Sequence, residues 1–235
     1  MSETTIAFIG FGGAAIDFCR AIIQLTSEPI HRKIKRMPSE DPFRIALATI
    51  LGLTMVVVAY HRLQAARSGE RITRKDEGLL LAVSLRLAGL CLWLATSAYL
   101  INPAWMTWAE LQLPGWLRWL GVPLGALGCA LMAWTLTNLG KNLTDTVMTR
   151  AHATLVTFGP YRWVRHPFYL TLALLAPAGA LLAANWFIGL SALAVLVMLV
   201  ERTPKEEQKL LDKFGDPYRT YRAATGRFFP KMKRG

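Results

Sequence analysis

The sequence has few charged residues and little cysteine. Only 18% of its 235 residues are charged, and it holds 3 cysteines, Cys19, Cys91 and Cys129. Each cysteine lies in an apolar run without metal or redox spacing, which argues against a disulfide scaffold or a zinc site, so we expect no metal. Lys and Arg number 27 against 15 acidic residues, a formal net charge of +12. A nucleic-acid-binding protein needs a soluble basic face, and this chain lacks the polar surface of a soluble globule, so we expect no nucleic-acid partner.

Apolar residues make up 53% of the chain, which excludes intrinsic disorder. These residues form long runs along the sequence. A helix of about 20 apolar residues is long enough to cross a bilayer core of about 30 Å. Runs 43–60, 79–101 and 116–136 can each cross once, and run 168–200 is long enough for two helices with a tight turn near residues 183–185. The sequence therefore predicts an all-α polytopic membrane helix bundle. It has five core transmembrane helices, of which the last two form a tight helical hairpin.

Basic residues predict how the bundle lies in the membrane, because cytoplasmic loops carry an excess of Lys and Arg. Such residues concentrate in 61–78, 139–167 and 201–235, whereas 102–115 and 183–186 have none. We expect the first three segments on the cytoplasmic side, in a multi-pass protein of a bacterial inner membrane. Strict alternation places the basic segment 31–44 on the opposite side, and this conflict stays open.

Two arginines lie within the apolar runs. We expect Arg118 to reach the interface, whereas Arg86 can reach the interface or face the bundle interior.

Residues 6–15 are glycine-rich and look like a strand followed by a dinucleotide-binding turn. That fingerprint needs a βαβ unit, and the basic and apolar segments that follow leave no second strand. We interpret residues 6–25 as an apolar helix that spans the membrane or lies at its interface. The predicted organisation is an N-terminal helix with a basic linker, 1–42, followed by a membrane domain, 43–235.

Two polar segments flank the predicted hairpin. Gly159-Pro160 signals a turn, and Arg165-His166-Pro167 stands where the hairpin begins. The last apolar helix is expected to continue to Phe214, with Gly215 as its cap. Arg202 and Glu206 are four residues apart on that helix. They can form a simple ion pair on its surface or belong to a site near the headgroup plane.

These segments carry a family resemblance. The run 154–169, Thr-Leu-Val-Thr-Phe-Gly-Pro-Tyr-Arg-Trp-Val-Arg-His-Pro-Phe-Tyr, resembles the isoprenylcysteine carboxyl methyltransferase family, and so do 202–207, 214–221 and 227–230. The resemblance covers roughly residues 79–230. It implies a membrane enzyme that transfers methyl from S-adenosylmethionine to a lipid-linked acceptor, with a cytoplasmic C-terminal segment that binds the cofactor.

The resemblance also implies the roles of individual residues. Glu206 would contact S-adenosylmethionine and Arg202 would hold the acceptor carboxylate, so these two are the candidate catalytic residues. The family usually has His directly before Thr-Leu-Val, whereas here Ala153 stands there and His152 precedes it. The residues that would line the cofactor pocket are Leu155, Val156, Tyr161, His166, Pro167, Phe168 and Tyr169.

A carboxylate acceptor is ionised at neutral pH and needs no general base, and Arg can hold it at two points. The expected partners are a lipid, or a lipidated small molecule or protein, together with the membrane lipids. Two alternatives stay open. One is N- or O-methylation of a phospholipid or another small lipid, and the positive charge of Arg202 disfavours a phospholipid amine as the acceptor. The other is a non-enzymatic membrane protein whose basic tail binds anionic headgroups.

Overall fold

The computed structural model describes residues 40–66, 79–140 and 154–231. In these ranges the regular structure is helical, and the only strand-like pairings are two isolated bridges. Short 3-10 turns cover Pro103–Ala109 and Gly159–Arg162. The helices in chain order are α1 Asp41–Ala66, α2 Leu79–Ile101, α3 Gly115–Trp119, α4 Gly121–Leu139, α5 Pro167–Ala183, α6 Trp186–Phe214 and α7 Asp216–Ala224.

Among the residues that the structure describes, four stretches of helix are long and apolar enough to cross a membrane: Asp41–Ala65, Val83–Ile101, Gly115–Leu139 and Trp186–Phe214. Helix α5 is also apolar but has only 17 residues. At about 1.5 Å per residue it is shorter than a bilayer core of about 30 Å. The prediction of an all-α multi-pass membrane bundle is confirmed, with four candidate spans and the shorter α5 beside them.

Helices α5 and α6 form the predicted hairpin, and its turn consists of Ala184 and Asn185. Ala184 adopts a left-handed conformation with φ 45° and ψ 47°, which turns the chain in a single residue. The Asn185 side chain caps α6 by accepting a hydrogen bond from the Ile188 amide at 3.0 Å, and it donates to the Met106 carbonyl at 3.1 Å. The Leu111 amide donates to the Ala184 carbonyl at 2.7 Å. The hairpin tip is therefore fixed against the segment that follows α2.

Close packing of α4 depends on glycines along its inward face. A Cβ built on Gly121 would lie 2.7 Å from the Ala178 carbonyl oxygen of α5. A Cβ on Gly125 would lie 2.5 Å from the Ile50 side chain of α1. Since small residues let the backbones of membrane helices approach closely, these positions hold α4 against both neighbours.

Arg118 corrects one sequence-based expectation. It does not reach toward the membrane interface; it is buried, with 7% of its surface exposed. Its Nη2 donates to the Leu182 carbonyl at 2.7 Å and to the Tyr99 hydroxyl at 3.2 Å, and its guanidinium lies 3.8 Å from the centre of the Phe43 ring. Leu182 is in the last turn of α5, where carbonyls lack helical partners and a cation is favourable. Arg86, in contrast, is exposed on α2 and does not face the bundle interior.

We expect Arg118→Met to lower the thermal unfolding midpoint of the detergent-solubilised protein by about 5 °C or more. Lost hydrogen bonds to a charged donor cost about 1.5–3 kcal/mol, and 1 kcal/mol corresponds to roughly 2–4 °C at this chain length. Arg86→Met is the matched control, because it removes an exposed arginine from a neighbouring helix, and it should leave the midpoint nearly unchanged. Equal midpoints for the two variants would show that the Arg118 contacts do not stabilise the hairpin.

Several sequence-based predictions lie outside the described residues. These are the N-terminal helix at 6–25, nearly all of the basic segment 31–44, and His152. The division into segments 1–42 and 43–235 stays a prediction.

Candidate active site

The chain before α5 makes the predicted turn at Gly159. Gly159 has φ +60°, and a Cβ at this position would collide with the Asn138 side chain at the end of α4. Both the left-handed conformation and the close contact favour glycine. Pro160 and Tyr161 follow in a 3-10 turn and are buried. The turn therefore directs residues 163–166 back toward the start of α5.

The C-terminal segment after α7 pairs with this loop. The Arg165 amide donates to the Gly226 carbonyl at 2.9 Å, and the His166 amide donates to the Arg227 carbonyl at 3.1 Å. The Gly226 amide donates in return to the Trp163 carbonyl at 3.3 Å. Two motifs that are about 60 residues apart in the sequence thus form one wall, and this wall stands at the start of α5.

Buried tyrosines join the same two segments. The Tyr221 hydroxyl donates to the Tyr161 carbonyl at 2.7 Å. Burial raises the pKa of the Tyr221 phenol to about 12 and holds the pKa of Tyr161 and of Tyr218 above the usual range. These phenols therefore stay protonated at neutral pH, and the Tyr221 hydroxyl remains a hydrogen-bond donor.

Helix α6 faces this wall where its composition changes from apolar to charged. Arg202 and Glu206 are half-buried on one face, whereas Thr203 and Glu207, each one residue further along, are buried. The Tyr169 hydroxyl of α5 donates to Glu206 Oε2 at 2.7 Å. Arg202 lies four residues before Glu206, one turn away on the same face of α6. Arg202, Glu206 and Tyr169 therefore lie together, and Glu206 is more than one half of an ion pair on the helix surface.

Aromatic rings line the same place. The His166 and Tyr169 rings are stacked, with centroids 5.4 Å apart and an angle of 10° between their planes. The Phe228 ring lies 5.9 Å from His166 and 6.2 Å from Tyr169. The aromatic rings therefore lie beside the Glu206 carboxylate, on the side of α6 that also carries Arg202.

Glu207 is the most heavily bonded acidic side chain of the site, and its carboxylate has 3% of its surface exposed. Oε1 accepts from Arg165 Nε at 2.9 Å and from Arg227 Nε at 3.2 Å, and it lies 3.3 Å from His166 Nε2. Oε2 accepts from Arg227 Nη2 at 3.0 Å, and Arg222 Nε lies 3.8 Å away. Glu207 is not among the sequence-predicted site residues. Two features could have pointed to Glu207. It is a second carboxylate directly after Glu206, and it lies on the same helix face as Thr203, which is buried.

The structure brings most of the sequence-predicted residues to one place. His166, Tyr169 and Glu206 are joined by the contacts above, and Arg202 lies one helical turn before Glu206 on the same face of α6. Pro167 is buried at the first position of α5, and the Phe168 ring meets the Tyr169 ring edge-on at 6.3 Å. Tyr161 is buried in the turn, where its carbonyl accepts from the Tyr221 hydroxyl at 2.7 Å.

Leu155 and Val156 lie at the start of the described loop, half-buried and buried respectively. In the part of the chain that the structure describes, they stand outside the hydrogen-bonded group around Tyr169. Their role in binding stays a prediction.

Three chemical functions meet in this arrangement. A carboxylate attracts a cationic ligand group, stacked aromatic rings can pack against a planar or cationic ligand, and a guanidinium can hold a carboxylate at two points. Such a site can bind a zwitterionic, aromatic molecule and an anion side by side.

The comparisons with known proteins agree with the resemblance seen in the sequence. Residues 121–212 match the model of the isoprenylcysteine carboxyl methyltransferase (ICMT) family. The matched segment runs from α4 through most of α6 and contains both Arg202 and Glu206.

Individual relatives match over part of their length. The protein-S-isoprenylcysteine O-methyltransferases of Homo sapiens and Mus musculus are each 30% identical over 129 residues, which is 54% of this chain. The match spans less than half of those proteins, 45% and 46% of their lengths. A solved structure of the eukaryotic intramembrane Ras methyltransferase ICMT is 24% identical, with a TM-score of 0.49, and the match covers 79% of this chain and 67% of that one.

Proposed function

We propose that this chain, whose residues 121–212 match the model of the isoprenylcysteine carboxyl methyltransferase family, is a member of that family and transfers methyl from S-adenosylmethionine to the carboxylate of a lipid-linked acceptor. The observation that carries the proposal is the placement of Glu206 and Arg202. Both are half-buried on one face of α6, and Glu206 is held by the Tyr169 hydroxyl at 2.7 Å. An anionic and a cationic group thus stand next to each other where α6 leaves its apolar stretch.

The donor set fits S-adenosylmethionine. Tyr169 engages one oxygen of Glu206, Oε2, and the carboxylate has further lone pairs for the positive groups of the cofactor. The His166, Tyr169 and Phe228 rings offer apolar and π surfaces beside it. When bound, S-adenosylmethionine supplies a methyl group on a positively charged sulfur. Glu206 holds that charge in place, and the aromatic rings restrict how the molecule can lie.

Arg202 is the acceptor-binding residue in this proposal. A carboxyl group has an ordinary pKa near 4, so at neutral pH the acceptor is ionised and already a nucleophile. The site needs only to orient it and has no proton to remove. A guanidinium can do so at two points while leaving an oxygen lone pair to attack. Catalysis is then mainly alignment of two reactants, which can supply about 7–11 kcal/mol of the barrier reduction.

The membrane position of the site suits a lipid-linked acceptor. The apolar part of α6 ends at Val200, and charged residues begin at Glu201. A lipid chain can remain among the helices, gaining about 0.8 kcal/mol per buried CH₂, while its carboxylate reaches Arg202 at the boundary. The basic residues of 201–235 and of the loop before α5 support a cytoplasmic orientation, with α5 completing a set of five membrane helices.

A labelled-methyl assay with purified protein in detergent tests the proposal. With S-adenosyl-L-[methyl-³H]methionine, we expect transfer to N-acetyl-S-farnesyl-L-cysteine as a base-labile ester. Little label should enter phosphatidylethanolamine, because an ammonium acceptor is repelled by Arg202. Base-stable label in the phospholipid, with none in the prenylcysteine, would favour amine methylation. No transfer to either, or to a bacterial lipid extract, would favour a non-enzymatic protein.

A further inference from the structure

We infer that Glu207 is the positioning residue of the site: it ties α6, the loop before α5 and the C-terminal segment together, and through His166 and Tyr169 it sets the orientation of Glu206. This inference rests on the proposed function, because the site that Glu207 assembles is the proposed cofactor site. Glu207 is not itself exposed to a ligand, since its carboxylate has 3% of its surface exposed whereas its neighbour Glu206 is half-buried.

Three chain segments meet at the Glu207 carboxylate. Glu207 belongs to α6, Arg165 to the loop before α5, and Arg227 to the segment after α7. Arg165 Nε donates to Oε1 at 2.9 Å, while Arg227 donates from Nε to Oε1 at 3.2 Å and from Nη2 to Oε2 at 3.0 Å. Arg165 also donates through Nη1 to the Thr225 and Arg222 carbonyls. One carboxylate therefore joins segments separated from it by 20 and by 42 residues.

The charges explain why a carboxylate is required there. Three guanidinium groups lie within 4 Å of Glu207, and the Arg165 side chain is itself 8% exposed. Removing one partner of a buried ion pair leaves the other charge uncompensated, which costs more than the lost contact alone. Without the negative charge of Glu207, the guanidinium groups repel one another, and we expect the C-terminal segment to move away from α6.

A continuous line of contacts leads from Glu207 to the ligand-facing residues. Oε1 lies 3.3 Å from His166 Nε2, the His166 ring stacks on the Tyr169 ring, and the Tyr169 hydroxyl donates to Glu206 at 2.7 Å. A displaced His166 ring therefore removes the surface against which Tyr169 packs, and Tyr169 in turn loses its hold on Glu206. Glu206 therefore faces the ligand, and Glu207 supports the side chains that orient Glu206.

Calorimetric titration with S-adenosyl-L-homocysteine, and thermal unfolding of the ligand-free protein, test the inference. We expect Glu207→Gln to weaken ligand binding about tenfold or more, since a site that loses its supporting contacts loses its geometry. Glu207→Asp keeps the charge on a shorter side chain and should recover part of that loss. Glu201→Gln, which changes an exposed carboxylate on the same helix, is the control and should bind within about twofold of the wild type.

Arg227→Gln separates positioning from a general loss of stability. If Glu207 acts through Arg227, we expect Arg227→Gln to weaken binding. The double variant Glu207→Gln/Arg227→Gln should then bind no more weakly than Glu207→Gln alone, because the two residues share one interaction. Strictly multiplicative losses would overturn the inference, as would a Glu207→Gln variant with a lower unfolding midpoint and unchanged affinity. If Glu207→Gln does not fold, Arg227→Gln decides, and unchanged affinity in that variant counts against the inference.

The same titration keeps the inference apart from the proposed function. A wild-type protein that does not bind S-adenosyl-L-homocysteine contradicts the proposed function. A wild-type protein that binds, together with a Glu207→Gln variant that binds equally well, contradicts only the role given to Glu207.

Discussion

Arg202→Ala should reduce the rate of methyl transfer by about 100-fold or more, because hydrogen bonds to a charged group contribute about 1.5–3 kcal/mol each and about 1.4 kcal/mol is a factor of ten in rate. Affinity for S-adenosylmethionine should change by only about threefold, since Arg202 is assigned to the acceptor and Glu206 to the cofactor. The measurement is the initial rate of labelled-methyl transfer to N-acetyl-S-farnesyl-L-cysteine, set beside a calorimetric titration with S-adenosylmethionine in the absence of an acceptor.

Two further variants sharpen this prediction. Arg202→Lys keeps the charge but loses the planar two-point geometry, so its rate should lie between those of the wild type and Arg202→Ala. Arg219→Ala removes an exposed arginine whose partner is the neighbouring Asp216 at 2.8 Å, and it should retain the wild-type rate. Full activity of Arg202→Ala would show that the acceptor carboxylate is held elsewhere.

Glu206→Ala and His166→Ala should each weaken S-adenosylmethionine binding by about tenfold or more, an effect of about 1.4 kcal/mol. Glu206→Ala loses the negative charge, and His166→Ala loses the ring that stacks on Tyr169 at 5.4 Å. Tyr169→Phe keeps the ring and removes only the hydroxyl that orients Glu206, so its loss should be smaller than that of Glu206→Ala. Affinities are measured by calorimetry in the same detergent.

Asp212→Asn is the matched control for these variants. Asp212 is an exposed carboxylate further along α6, and its partner is Gln208 at 2.7 Å, one turn away on the same helix. The variant should bind like the wild type. Wild-type affinity in both Glu206→Ala and His166→Ala would remove the cofactor from this part of the molecule.

The membrane helices were predictable because the relevant signal is local. A long run of apolar residues has one stable arrangement in a bilayer, and the uncharged run 168–200 was too long for a single crossing. Asn185 supplied both a polar turn and a cap for α6. Gly215 ends α6 at the predicted residue, with φ 57°. Helix α5 is short because it begins at Pro167 and ends at the turn of Ala184 and Asn185.

Long-range partners could not be predicted from local pattern. Arg118 was expected at the interface from its distance to the start of its run, but its partner is the Leu182 carbonyl, 64 residues away. That carbonyl becomes available only because α5 ends beside α3. Likewise, the spacing of Arg202 and Glu206 showed a shared helix face, and Tyr169 as the partner of Glu206 emerged only from the packing of α5 against α6.

Glu207 is the site residue that was hardest to predict. The sequence shows that Glu206 and Glu207 lie on different faces of the helix. It does not show which of the two faces meets the arginines of two distant segments. Arg165 and Arg227 lie 42 and 20 residues from Glu207, and both reach it in the fold. The family resemblance predicted the residues that would face the ligand, and the structure showed that Glu207 contacts Arg165, His166 and Arg227.

The roles proposed for these residues depend on one property. The site between α6 and the wall, which the loop before α5 and the C-terminal segment form, must bind S-adenosylmethionine. Calorimetric titration of S-adenosylmethionine into the purified wild-type protein in detergent measures this property. We expect a saturable heat with one site per chain, which Glu206→Ala weakens and Asp212→Asn leaves unchanged. A wild-type titration with no binding heat at several temperatures, and no shift of the unfolding midpoint by the same ligand, would contradict the proposed site.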